Sequence, residues 1–190
     1  MRIGLLGGSF NPAHPGHRHI IDIARRRLRL DQVWLLVSPG NPLKSPRGMA
    51  EFEQRLASAR NLADGRRVLV SAIEAVFGTR YTIDTLRRLL RLFPHAHFVW
   101  LMGADLLPQL PRWRRWLEFV HRIGIAVLPR PGYNYRALSS RAARRVARAR
   151  LPERAAVLLG NVAAPAWVFL SVPQHAASAT AIRASEGASP

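Results

Sequence analysis

Cysteine is missing from this chain altogether. Its absence excludes disulfide scaffolds, zinc ribbons and thiol nucleophiles, and it fits a reducing compartment. Long apolar runs are missing too. None approaches the ~18 residues of a membrane helix, and residues 1–8 hold too short an apolar stretch for the core of a signal peptide. The expectation is a soluble, cytoplasmic protein with no membrane partner. Acidic residues are scarce, 11 Asp and Glu against 29 Lys and Arg, which leaves a formal charge of +18. Such an excess raises nucleic acid as a partner. Lysine, however, is almost absent, Lys44 being the only one. A uniform use of arginine accounts for the excess as well as a binding surface does.

What is present is ordinary for a globular domain. The 190 residues suit one domain, and 48% hydrophobic with 21% charged residues argues against disorder, collagen and coiled coil. Short apolar runs at 2–6, 33–37, 67–71, 97–102, 123–128 and 167–171 alternate with amphipathic stretches. That alternation predicts a parallel sheet whose strands are covered on both faces by helices. The intervening helices show apolar stripes at Ile20, Ala24 and Leu28, at Phe52, Leu56 and Ala59, and at Leu86, Leu89, Leu90 and Phe93. Residues 139–150 read as one further helix, with Ala142, Val146 and Ala149 on one side and Arg141, Arg144, Arg145, Arg148 and Arg150 on the other; Arg136 stands just before it. No Tyr or Phe interleaves those arginines, so they read as a solvated face, and nucleic acid becomes the less favoured partner. Residues 1–183 form the expected single domain, and 184–190 have the composition of a disordered tail.

Ligands of an open parallel sheet bind beyond the carboxyl ends of its strands. After the first strand comes Gly7-Gly8-Ser9-Phe10-Asn11-Pro12-Ala13-His14-Pro15-Gly16-His17. It matches neither a Walker loop nor a dinucleotide-binding glycine loop. Paired glycines nevertheless let backbone N–H groups approach an anion, and two imidazoles stand where the next helix begins and its dipole favours phosphate. A metal site from His14, His17 and His19, a capping turn and satisfied structural histidines remain alternatives. The metal site lacks a nearby acidic ligand, and on a helix His19 points away from His17.

This stretch resembles the signature of the nucleotidyltransferase superfamily, whose His-x-Gly-His is shared with class I aminoacyl-tRNA synthetases. Asn41-Pro42-Leu43-Lys44, Arg80-Tyr81-Thr82-Ile83-Asp84-Thr85-Leu86, Gly103-Ala104-Asp105 followed by Trp113, Arg130-Pro131-Gly132-Tyr133 and Ser178-Ala179-Thr180-Ala181-Ile182-Arg183 then follow in the order found in nicotinate-nucleotide adenylyltransferases. The chain departs from that pattern at Asn11, Leu43 and Ala179, where many members carry Asp, His and Ser.

The resemblance implies an α/β, Rossmann-like doubly wound sheet with a small C-terminal helical element. It implies adenylyl transfer from ATP to nicotinate mononucleotide, giving nicotinate adenine dinucleotide and pyrophosphate in NAD biosynthesis. Magnesium would ride on the ATP phosphates, with no dedicated protein ligands. His14, His17, Lys44 and Arg183 would be catalytic. Gly7, Gly8, Ser9, Phe10, Gly16 and Gly103 would surround ATP together with Asp105, Ser178, Thr180 and Ile182; Ser178 and Thr180 could equally be helix caps. Tyr81, Thr82, Trp113 and Arg130 would hold the nicotinate nucleotide, while Trp34, Trp100 and Trp167 read as core. The chemistry is compatible with these residue types. A phosphate monoester with a second pKa of about 6 is already mostly dianionic at neutral pH, so the reaction needs positioned donors and cations rather than a general base. Another phosphate acceptor, nicotinamide mononucleotide or phosphopantetheine, is the alternative substrate. A nucleic-acid-binding protein on the same fold is the alternative of a different class. Oligomeric state is not legible.

Overall fold

The computed structural model describes residues 1–40 and 48–173. Six strands form one parallel sheet: β1 (Arg2–Gly8), β2 (Gln32–Val37), β3 (Val68–Ser71), β4 (His97–Gly103), β5 (Gly124–Leu128) and β6 (Trp167–Phe169). Their order is β3-β2-β1-β4-β5-β6, the doubly wound arrangement expected. All six coincide with the apolar runs to within two residues at either end.

Successive residues of a strand face opposite sides, and here each side has its own core. Phe98, Trp100 and Met102 of β4 pack with Ile83, Leu86 and Leu89 of α4 (Thr82–Leu92) and Phe119 of α5 (Trp116–Val120). Val99 and Leu101 face the other layer, against Ile21, Ala24 and Leu28 of α1 (Pro15–Leu28) and Leu56 and Ala59 of α2 (Phe52–Arg60). A strand read by both layers must be apolar at every position, which is why the runs were continuous. A short α3 (Ile73–Phe77) follows β3 directly. Among the described residues, no helix is long and apolar enough to cross a membrane.

The helix expected over 139–150 is interrupted. Only α7 (Arg141–Arg145) is α-helical; α6 (Asn134–Leu138) precedes it and a 3-10 turn over Ala147–Ala149 follows. The carbonyl of Val146 accepts from Trp167 Nε1 at 2.9 Å as well as from Ala149 N at 3.0 Å, so a buried indole on β6 shares the acceptor at the break. Ala142 and Val146 are buried as expected, and all six arginines are exposed. The small C-terminal helical element and the tail over 184–190 lie outside the described residues.

Candidate active site

β1 and β4 are adjacent at the centre of the sheet, and their outgoing chains turn to opposite sides. A crevice must open beyond their carboxyl ends. A cavity of about 490 Å³ lies there. Gly7, Gly8 and Ser9 line it from β1, Ser38 from the turn after β2, Glu74 from α3, and Arg80, Tyr81, Thr82 and Ile83 from the entry to α4. Trp100, Asp105, Leu106, Gln109, Arg112, Trp113, Arg114 and Phe119 complete the described lining.

The β1 end is shaped by what glycine omits. A β-carbon on Gly7 would stand 2.7 Å from Trp100 Cη2, so the indole lies flush against the strand. Phe10 has φ +48°, a left-handed conformation costly for a bulky residue, and its buried ring is seated beside His17 with centroids 4.9 Å apart. His14 is the N-cap of α1, Pro15 opens its first turn and Gly16 is buried within it. The backbone N–H of His14 donates to His17 Nδ1 at 3.2 Å, and the two rings lie 3.9 Å apart. With Nδ1 accepting, a neutral His17 carries its proton on Nε2. His19 Nε2 lies 2.6 Å from the Pro173 carbonyl oxygen, away from this pair. Among the described residues, no group of three His, Asp or Glu could hold a metal ion.

Beyond β4, Gly103 lets the Asp105 carboxylate fold back over the strand end; a β-carbon there would meet Oδ1 at 2.5 Å. Asp105 Oδ2 accepts from Arg130 Nη1 at 2.9 Å. Its Oδ1 is buried over Gly103 with no partner among the described residues. A carboxylate on the cavity wall suits a ligand hydroxyl.

The opposite end is built by α4 and the turn before α5. The first N–H groups of an α-helix have no intrahelical acceptor and carry the positive end of its dipole. In α4 these groups follow Tyr81, and Thr82 adds a hydroxyl. Arg114 lies over the Tyr81 ring, its guanidinium carbon 4.7 Å from the centroid. Trp113 packs edge-on to Trp100 at 6.1 Å and against Phe119 at 5.5 Å, leaving it partly exposed to the cavity. Arg87 of α4 grips Glu118 of α5 with two bonds of 2.9 and 2.7 Å, which fixes the helices against each other. Arg80, Arg112 and Arg114 make this end cationic. Glu74 is the buried exception: desolvation pushes its carboxyl up to about 6, against hydrogen bonds from Ser38 and Thr85 that act the other way.

The fold thus gathers Gly7, Gly8, Ser9, Tyr81, Thr82, Asp105 and Trp113 around one cavity. His14, His17, Phe10 and Gly16 form the adjoining turn, Gly103 shapes the Asp105 approach, and Arg130 reaches Asp105. Lys44, Ser178, Thr180, Ile182 and Arg183 lie outside the described residues. Trp100 is core as expected, 4% exposed, and the part of its ring that covers Gly7 is also cavity wall. Sequence reasoning missed Glu74, Gln109 and the Arg112 and Arg114 lining. The only signal for Trp100 was the pair of glycines on the neighbouring strand.

The chain matches the model of the cytidylyltransferase-like family over residues 5–185. It is 55% identical over 185 residues to a probable nicotinate-nucleotide adenylyltransferase of Gluconobacter oxydans, covering 97% of this chain and 95% of that one. A protein of the same name from Gluconacetobacter diazotrophicus is 56% identical over 184 residues, covering 97% and 86%. The fold is similar to that of Plasmodium falciparum nicotinic acid mononucleotide adenylyltransferase complexed with NaAD, with a TM-score of 0.70 at 18% identity over 96% of this chain and 82% of that one.

Proposed function

The chain belongs to the cytidylyltransferase-like family and, within it, to the nicotinate-nucleotide adenylyltransferases, and on that premise we propose how its residues join nicotinate mononucleotide to the adenylyl group of ATP. The observation that carries the reading is the polarity of the cavity. One end offers helix amides, a hydroxyl and aromatic faces, and the other offers glycines and a carboxylate, with a pair of imidazoles on the adjoining turn.

The first end suits nicotinate. Its carboxylate would accept from the opening amides of α4 and the Thr82 hydroxyl, and its pyridinium ring would stack on Trp113. The second end suits ATP. The Asp105 carboxylate would accept from a ribose hydroxyl while Arg130 holds Oδ2, so Arg130, beside its role toward the nicotinate nucleotide, would support the ATP end through Asp105. Gly7, Gly8 and Ser9 let the nucleotide phosphates come close to the backbone of β1.

In the reaction, an oxygen of the nicotinate mononucleotide phosphate attacks the α-phosphorus in line. A new P–O bond forms as the bond to the β-phosphate oxygen breaks, and pyrophosphate leaves. His17 donates from Nε2 to an α-phosphate oxygen whose charge rises in the transition state, and His14 assists at the flanking phosphates. Lys44 and Arg183 would neutralise phosphate oxygens, Ser178 and Thr180 would offer hydroxyls and N–H groups to the β and γ phosphates, and Ile182 would belong to the same ATP-binding set. Magnesium would accompany ATP as the Mg-ATP substrate and offset phosphate charge. The setting is cytoplasmic, where both nucleotides are available.

Incubation of the purified protein with nicotinate mononucleotide and Mg-ATP should release nicotinate adenine dinucleotide and pyrophosphate in equal amounts. Failure to form the dinucleotide would contradict the assignment.

A further inference from the structure

Arg55 is an arginine that the sequence hides inside a helix and the fold buries to 3% exposure. It does not line the cavity described above. Its guanidinium instead sits behind it, donating to four backbone carbonyls on three separate segments. Nε bonds to Ala50 O at 2.9 Å, Nη1 to Ser9 O at 3.0 Å and to Ser38 O at 2.6 Å, and Nη2 to Pro39 O at 3.1 Å. Ser9 and Ser38 are cavity residues, at the carboxyl ends of β1 and β2. One side chain therefore spans the backs of two loops whose fronts face the ligand.

Asn11 reinforces the arrangement. Its Nδ2 donates to Gly48 O at 2.9 Å while its Oδ1 accepts from Ala50 N at 3.1 Å. The amide uses a donor and an acceptor at once, which a carboxylate at this position could not do. The loop after β1 is thereby tied to residues that follow the second loop as well as to those that begin it.

Only arginine matches this set of acceptors. Its planar fork presents five donors at fixed angles, whereas lysine offers one nitrogen that cannot reach three segments together. Removing the guanidinium strands buried carbonyls and frees the loops to shift. A shift of about 1 Å in groups that meet phosphate is enough to lose a large part of catalysis.

We propose that Arg55 is a positioning residue for the nucleotide-phosphate end of the site: it locks Ser9, at the end of β1, and the Ser38–Pro39 turn into one rigid anion-binding edge. The proposal rests on the assignment of that end to ATP. It deals with loop placement, and Arg55 itself touches no substrate.

The test compares wild type with Arg55→Lys by two readouts. One is calorimetric binding of the α,β-methylene analogue of ATP, which needs no acceptor and so stands apart from the identity of the reaction. The other is steady-state kinetics with nicotinate mononucleotide. The expected result is a Kd for the analogue raised about tenfold or more and a comparable or larger fall in kcat, with the KM for nicotinate mononucleotide within twofold, in protein that melts cooperatively above the assay temperature. If Arg55→Lys does not fold, Arg55→Gly is measured with and without guanidinium ion, against wild type in the same salt. Guanidinium should restore analogue binding. An analogue Kd within twofold of wild type, a KM for nicotinate mononucleotide that rises as much as the Kd, or an Arg55→Gly variant that guanidinium leaves unrescued overturns the proposal. A wild type that binds the analogue but makes no dinucleotide refutes the acceptor assignment and leaves Arg55 to be judged on binding alone.

Discussion

Trp100 rests on Gly7 so closely that a β-carbon at position 7 would stand 2.7 Å from the indole Cη2. Gly7→Ala must therefore push the ring outward, into the cavity and against Trp113, 6.1 Å away. Crowding of this kind costs about 1–3 kcal/mol. The variant should melt lower than wild type, and its KM for nicotinate mononucleotide should rise, because the displaced indole intrudes on the aromatic end of the site. Thermal denaturation and initial-rate kinetics check the two effects separately.

His17 receives the His14 amide on Nδ1, so the neutral ring carries its proton on Nε2. His17→Ala should lower kcat about 10²- to 10³-fold, the range for losing one preorganised transition-state donor. The KM values should change far less, and the far-ultraviolet dichroism should match wild type. Near-normal turnover would remove His17 from the mechanism.

Trp113 meets the cavity with part of its ring and packs the rest on Phe119. Stacking on an aromatic side chain is worth about 1–3 kcal/mol per base. Trp113→Ala should mainly raise the KM for nicotinate mononucleotide, by about tenfold, with a smaller effect on ATP. An unchanged acceptor KM would point to another stacking surface, Trp100 being the first to examine.

Glu74 supplies a pH dependence of stability. Burial raises its pKa from 4.5 to about 6, so between those values the folded protein keeps a proton that the unfolded chain releases. Stability from this group falls as pH rises through that interval and stays lowered above it. The shift corresponds to about 2 kcal/mol. Glu74→Gln, which cannot ionise, should raise the melting temperature relative to wild type at pH 7.5, and the advantage should fade towards pH 4.5. An equal difference at both pH values would contradict the assignment.

The strands were legible because two layers bury both of their faces, so every position from Val33 to Val37 had to be apolar. The glycine turn and His14-x-Gly-His17 were legible because they are contiguous, each feature lying within one stretch of chain. The interruption near Val146 was not, since it depends on an indole on β6 that arrives 21 residues later. Arg55 was hidden for the same reason. In sequence it is a polar residue of an ordinary amphipathic helix, and its partner Ser9 lies 46 residues away. Trp100 was placed in the core because a tryptophan on a central strand usually packs there. It does pack there, and only the adjacency of β1 and β4 in the sheet reveals that the same ring, laid over Gly7, is also cavity wall.

A single competition decides the identity of the phosphate acceptor. Purified protein, Mg-ATP and equal concentrations of nicotinate mononucleotide, nicotinamide mononucleotide and phosphopantetheine would be sampled over the initial phase and the adenylylated products separated. A site built from the opening amides of α4, Thr82 and three flanking arginines should favour the carboxylate-bearing nucleotide at least tenfold over the other two. Preferential adenylylation of the amide nucleotide or of phosphopantetheine would contradict it.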